Sequence, residues 1–374
     1  MKKFRFYVIF LFLFVSLVGC AETKILEQIG LTTLVGYDQG DEEKLSVTAV
    51  VRQVNPEAQS NVVIFTNEDP TSKGTNIKAT RQSSKKLVNG QMRVVLFGDE
   101  LAKNGVHHLT DTLLQNPDVS NSLYTAVVEG QTKSLLEFQY ENIEDIGQHI
   151  FKLLEQNIQE ELTVSSTLHE VSHDYHSLGR DMAMPILKRD DQLIEINGVA
   201  LFKEGEMVGN LSIADGFYLK LVRDKYDSGM IETILKGDDI PPSLKKNKSD
   251  EIPLVFDTIR SEKDFKLIDK TTPEFDLHLT LKARLLEIRT DINVGDPKTV
   301  AELEKAISKN LSNELSRVIA YCQEVGSDIF GFGEYYRSAV RNSKLTQEKW
   351  DELYKDAKVN INIDFTILRN GVFE

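Results

Sequence analysis

The chain has 374 residues, 44 Lys and Arg against 58 Asp and Glu, and a formal net charge of −14. That balance excludes a polyanion such as nucleic acid as the natural partner, because such binding needs clustered Lys and Arg. It also excludes adhesion to anionic lipid headgroups by charge alone.

The first twenty residues predict the compartment. Lys2, Lys3 and Arg5 open the chain, residues 6–18 are apolar apart from Ser16, and Gly19 precedes Cys20. This charged, apolar, small-residue order predicts a signal peptide over 1–19, with an apolar run too short to cross a bilayer. Leu17-Val18-Gly19-Cys20 looks like the lipobox of bacterial lipoproteins, where cleavage leaves a diacylglyceryl thioether on the cysteine. Two acyl chains hold firmly where one holds marginally, so Cys20 would tether a body that its own charge does not keep at a membrane. Cys322 is then the single remaining thiol, and the fold must be stabilised by its cores rather than by disulfides. The length suits about two or three domains. No other stretch approaches the apolar length of a membrane-spanning helix.

Past a short spacer at 21–23, residues 30–36 and 45–51 read as strands joined by a turn at Asp38-Gln39-Gly40-Asp41, a hairpin; Asn55-Pro56 ends the second strand. Residues 62–66, 93–97 and 123–128 are further short β runs. Between them the spacing predicts helices over 77–87, 100–114 and 134–161. This mixture makes an α/β first domain over 20–190, open to subdivision, and an α+β second domain over 191–374. The second starts with a candidate strand pair hinged at Asn197-Gly198, and the Pro- and Lys-rich stretch near 238–252 reads as a loop or linker. Residues 275–288 alternate as a long strand. Asp296-Pro297 then starts the clearest helix, with Thr299 to Glu302 as an alternative capping box. Leu303, Ile307, Leu311, Leu315, Val318 and Cys322 form its apolar stripe, which makes Cys322 a buried core thiol; Gly326 stops the helix. Residues 359–367 alternate as a strand with one solvated face. The fold class is α+β and multi-domain, with mixed and antiparallel sheets and packed helices.

The sharpest enzymatic pattern is His169-Glu170-Val171-Ser172-His173. On a helix the two histidines face one way and can hold Zn²⁺, with the glutamate activating water, which gives a secreted zinc metallopeptidase as one alternative. Asp174 follows directly, His176 does not fit the extended pattern, and Leu178-Gly179-Arg180 cuts the helix short. A polar helix end is therefore the preferred reading. The adjacent His107-His108 point about 100° apart on a helix and read as surface or capping groups. Gly331-Phe332-Gly333 lacks the third glycine and the lysine of a phosphate loop, and Glu334 repels phosphate. Asp238-Asp239 and Asp250-Glu251 lack the alternation of a calcium loop. No G-x-S-x-G elbow is present, so the sequence offers no catalytic set and calls for no cofactor or metal.

The order of motifs resembles the Ger(x)C family, the lipoprotein C subunits of nutrient germinant receptors in spore-forming bacteria. The resemblance runs from the lipobox and residues 25–30 through Val35-Gly36-Tyr37-Asp38, residues 90–98, Glu100-Leu101-Ala102 and residues 116–120. It continues through residues 197–202 and 207–209 to its most specific piece at 327–335, with Trp350 downstream and residues 367–371 closing the chain. Two places depart from the family pattern: Glu22-Thr23-Lys24 replaces an aromatic-acidic pair, and the histidines occupy a segment usually plain. The resemblance implies a non-catalytic subunit, lipid-anchored through a palmitate-bearing Cys20 on the outer face of the inner spore membrane. It implies two polytopic partners, the A and B subunits, and no nucleic acid. Asp328, Gly331, Phe332, Gly333 and Trp350 are its motif residues, and their expected role is structural, the glycines permitting close packing or positive φ. A solute-binding lipoprotein with a ligand cleft is the other alternative.

Overall fold

The computed structural model describes residues 28–53, 62–237, 240–241, 251–289 and 295–368. The signal segment, Cys20, Asn55-Pro56, Asp238-Asp239 and most of the 238–252 stretch lie outside the described residues.

Among the described residues the first half builds on one nine-stranded mixed sheet. β1 (Ile29–Gln39), β2 (Leu45–Gln53) and β3 (Val62–Asp69) pair antiparallel, and the turn between the first two carries a short 3₁₀ segment. Next come the helix α1 (Ser72–Gln82) and the short β4 (Lys86–Val88), which pairs with β1. β5 (Val94–Gly98) and β6 (Tyr124–Val128) continue the sheet in parallel, separated by α2 (Asp99–Asn104) and α3 (His107–Leu114). The central strands are apolar on both faces, as parallel strands covered by helices must be. Val95 and Phe97 face a core with Leu101, Leu113, Leu168 and Val171, and Val94 and Leu96 face another with Leu136, Ile150 and Leu154. The second face is covered by α4 (Thr132–Leu136) and α5 (Ile146–Gln159), and the first by α2, α3 and α6 (Leu168–His176).

The sheet continues through β7 (Ala183–Asp190), β8 (Leu193–Lys203) and β9 (Glu206–Leu211) as antiparallel neighbours. β8 is one strand; the expected hinge at Asn197-Gly198 is a register shift, where Ile186 pairs with Gly198 and Leu187 with Ile196. Its alternation joins the two halves, since Ala200 and Phe202 face the core of Val95 and Phe97 while Val199 and Leu201 belong to a third core, in the second half.

That third core lies under a sheet that among the described residues has four strands, in the order β10-β11-β12-β13. Helix α7 (Ile213–Arg223) leads into β10 (Gly229–Lys236), β11 (Glu251–Asp269) and β12 (Glu274–Ile288). β11 begins at Glu251, so the end of the expected 238–252 loop is already strand. The long helix α8 (Pro297–Glu324) starts as Asp296 and Pro297 predict, the Asp296 carboxylate accepting from the Lys298 and Thr299 amides. Its Leu303, Ile307, Leu311, Leu315 and Val318 join one core with Phe275, Leu277, Leu279 and Leu281 of β12. After α9 (Phe332–Ala339) and α10 (Gln347–Lys355), β13 (Lys358–Leu368) closes the sheet in parallel with β12. Among the described residues no helix is long and apolar enough to cross a membrane.

Candidate functional site

The motif residues meet where the two halves join. Helix α8 stops at Gly326, whose φ of 74° is left-handed, and the chain turns through Ser327 and Asp328 into α9. Ser327 Oγ donates to the Phe202 carbonyl of β8 at 2.6 Å. The Asp328 carboxylate is 1 % exposed, and each of its oxygens accepts two donors. Oδ1 takes the amides of Gly331 and Phe332 at 3.0 and 3.1 Å, and Oδ2 takes the Gly333 amide at 2.8 Å and Trp350 Nε1 at 3.0 Å. A carboxylate has about four acceptor sites, so none is left over here.

Those bonds start α9, whose first orphan amides need acceptors. The same aspartate reaches the other half through its backbone. The Asp328 amide donates to Asp181 Oδ2 at 2.7 Å, and the Asp181 amide donates to the Asp328 carbonyl at 3.0 Å. Lys203 of β8 lies 3.8 Å from Asp181 Oδ2 and pairs with Asp351 of α10. Two residues before Asp181, the Gly179 carbonyl accepts the Glu334 amide at 3.0 Å. Gly179 has φ 83°, and a Cβ built there would meet the Gly333 backbone at 2.5 Å. Gly331 has φ 78° at the N-cap of α9, and a Cβ on Gly333 would meet Trp350 at 2.5 Å. Trp350 is fully buried between Tyr336 and Tyr354, at ring separations of 5.6 and 5.8 Å. The Tyr354 hydroxyl donates to the Ser327 carbonyl at 3.2 Å.

Burial raises the Asp328 carboxyl to about 7, with Asp181 adding to the rise and the Gly333, Phe332 and Trp350 donors opposing it. Burial likewise raises Asp181 to about 6, opposed chiefly by Lys203. This arrangement clamps the segment before β7 and the end of β8 onto α9 and α10. The five motif residues read from the sequence fall in one cluster; of those that complete it, Gly179 shows in the sequence only as a helix stop, and Asp181, Lys203 and Asp351 carry no local sequence signal.

The histidine segment forms α6, a short helix with a capping box. Thr167 Oγ1 accepts the Glu170 amide at 3.2 Å, and Glu170 Oε2 accepts from the Thr167 amide and hydroxyl at 2.8 Å and from Ser165 Oγ at 2.7 Å. Glu170 is thereby committed to the helix start. His169 and His173 are exposed on the same helix, and among the described residues no group of three His, Cys, Asp or Glu side chains is arranged to hold a metal ion. Asp174 is buried and paired with Arg223 of α7 and, at 3.0 Å, with Arg180, a second polar tie between the halves. His107 stacks on Tyr175 at 5.4 Å, and Cys322 is fully buried, its thiol pushed up by burial.

Two family descriptions account for nearly all of this architecture: "Spore germination protein N-terminal domain" matches residues 22–189, and "Spore germination B3/GerAC like, C-terminal" matches residues 197–371. The chain belongs to the Ger(x)C family of spore germination proteins. It is 27% identical to spore germination protein GerQC of Bacillus cereus, covering 98% of this chain and 99% of that one. It is 20% identical to spore germination protein B3 of Bacillus subtilis, covering 99% of each. The crystal structure of the GerBC protein has the same fold at a TM-score of 0.58 and 15% identity, covering 90% of this chain and 97% of that one.

Proposed function

We propose that this chain is the lipid-anchored, non-catalytic subunit of a nutrient germinant receptor, required for spore germination. Its anchor is a palmitate-bearing diacylglyceryl group on Cys20, which holds the two halves at the outer face of the inner spore membrane beside two polytopic partners, the A and B subunits. The observation that carries the reading is the family match beginning at residue 22, two residues after the lipobox cysteine. The −14 charge supports it, because a body this acidic needs a covalent tether to stay at an anionic surface. In this reading Asp328, Gly331, Phe332, Gly333 and Trp350 are structural: they keep the halves in one fixed relation so that surfaces of both can meet the partners together. Metabolic labelling with an alkyne fatty acid tests the anchor. The native chain incorporates label and sediments with membranes, and Cys20→Ala does neither; label retained by Cys20→Ala would contradict the assignment.

A further inference from the structure

An apolar hollow of about 420 Å³ lies away from the junction, between α1 and strands β1 to β3. It exists because the facing surfaces are small: α1 turns only Thr75 and Ala79 fully inward, and β2 contributes Ala49. Interiors rarely leave such space unfilled. Two features indicate that it is more than loose packing. Between Thr32 and Leu34 the register of β1 slips against β2, a bulge. Leu34 belongs to the α5-side core, and Thr33 Oγ1 stands 2.5 Å from the Cβ position of Gly147 in α5, so both lie on that face. Thr32 thus comes into phase with Val35 and Tyr37, and all three line the hollow. Thr32 is 3 % exposed and Tyr37 is 6 % exposed, and neither hydroxyl oxygen is among the fully buried, unpartnered side-chain atoms of the described residues. Both residues line the hollow, where a ligand can reach their hydroxyls.

The charge on the wall is one-sided. Among the described residues lining the hollow, Lys73 is the only charged one, and it is exposed in the first turn of α1. Asp69, at the end of β3, pairs with Leu45, which pairs with Gln39, so the start of α1 stands at the Tyr37 end and Thr32 at the other. Exposed Asn76 and Ile77 mark where the hollow reaches solvent. We propose that this cavity binds a slender amphipathic carboxylate. Its carboxylate meets the Tyr37 hydroxyl and Lys73 at one end, its apolar body lies along Val35, Val47, Met92 and Leu113, and the Thr32 hydroxyl takes a second polar group at the far end. This site stands independently of the receptor assignment, since it uses residues of the first half alone.

The test uses the full mature chain in lipid nanodiscs, with empty nanodiscs as blank, and three matched probes: octanoate, 1-octanol and octylamine. Octanoate binds saturably with one site and shifts the Met92 methyl resonance; octanol binds more weakly and octylamine does not bind. Tyr37→Phe and Lys73→Gln, both expected to leave the fold intact, each weaken octanoate by about threefold to tenfold, the scale of one hydrogen bond or exposed ion pair. Thr32→Val leaves octanoate unchanged and weakens 8-hydroxyoctanoate. Equal binding of octylamine, an unmoved Met92 methyl at saturation, or indifference to Tyr37→Phe would each overturn the proposal.

Discussion

Gly179 and Gly333 approach so closely that a methyl group added to Gly179 would lie 2.5 Å from the Gly333 Cα. The first belongs to the segment before β7 and the second to α9, so the halves of the protein meet backbone to backbone at this point.

Gly179→Ala should therefore be costly in two ways. The left-handed φ of 83° costs about 1–2 kcal/mol for a residue with a Cβ, and the clash with Gly333 adds about 1–3 kcal/mol of overpacking. Gly130→Ala is the control, because Gly130 has φ 84° with nothing within 4 Å of its Cβ position. In urea melts Gly179→Ala should lose clearly more stability than Gly130→Ala; equal losses would mean that the close approach is unimportant.

Trp350→Phe keeps most of the ring volume and removes the donor to Asp328 Oδ2. The expected loss is about 1.5–3 kcal/mol, as for a hydrogen bond to a charged group. Trp350 is the single tryptophan of the chain, so the variant is followed by circular dichroism, while native fluorescence reports on this junction alone.

The carboxyls of Asp328 and Asp181, raised to about 7 and about 6, bind protons in the folded protein that the unfolded chain releases near its ordinary 3.8. Their contribution to stability is full below that ordinary value and is lost as pH rises through about 6 and about 7. Urea midpoints read from Trp350 fluorescence should fall across this window. Asp328→Asn should lower stability at every pH and flatten the slope; an undiminished slope would assign the effect to other groups.

Cys322 faces the sheet from the apolar stripe of α8, and burial raises its thiol. A thiol reagent should leave it unmodified in the native protein and react stoichiometrically in urea. Rapid native labelling would show that α8 opens on its own.

Much of this architecture was legible wherever one element carried its own pattern. β12, α8 from its Asp296 cap to Gly326, and β13 each advertise a single buried face, and the β1–β2 hairpin shows as two apolar runs about a polar turn. Elements set by distant partners were not. The helix expected over 77–87 is displaced to Ser72–Gln82, because Thr71 caps it and Lys86–Val88 pairs with β1. The helix expected over 100–114 breaks at Gly105, φ 108°, and that over 134–161 divides into α4 and α5, the latter restarted by the Asp145 cap. β11 was hidden by its Lys- and Asp-rich half, which lies on a solvated sheet face. The motif at 327–335 stands out in sequence, but Asp181, its partner across the junction, is 147 positions away in the chain and has no helical or strand register to give it away.

The central claim is membership of a membrane receptor, and the most direct measurement is co-purification from membranes of sporulating cells, comparing the native chain with Cys20→Ala. The account predicts that two polytopic membrane proteins accompany the native chain and are lost or reduced with the variant. A native chain that is recovered alone from those membranes would contradict it.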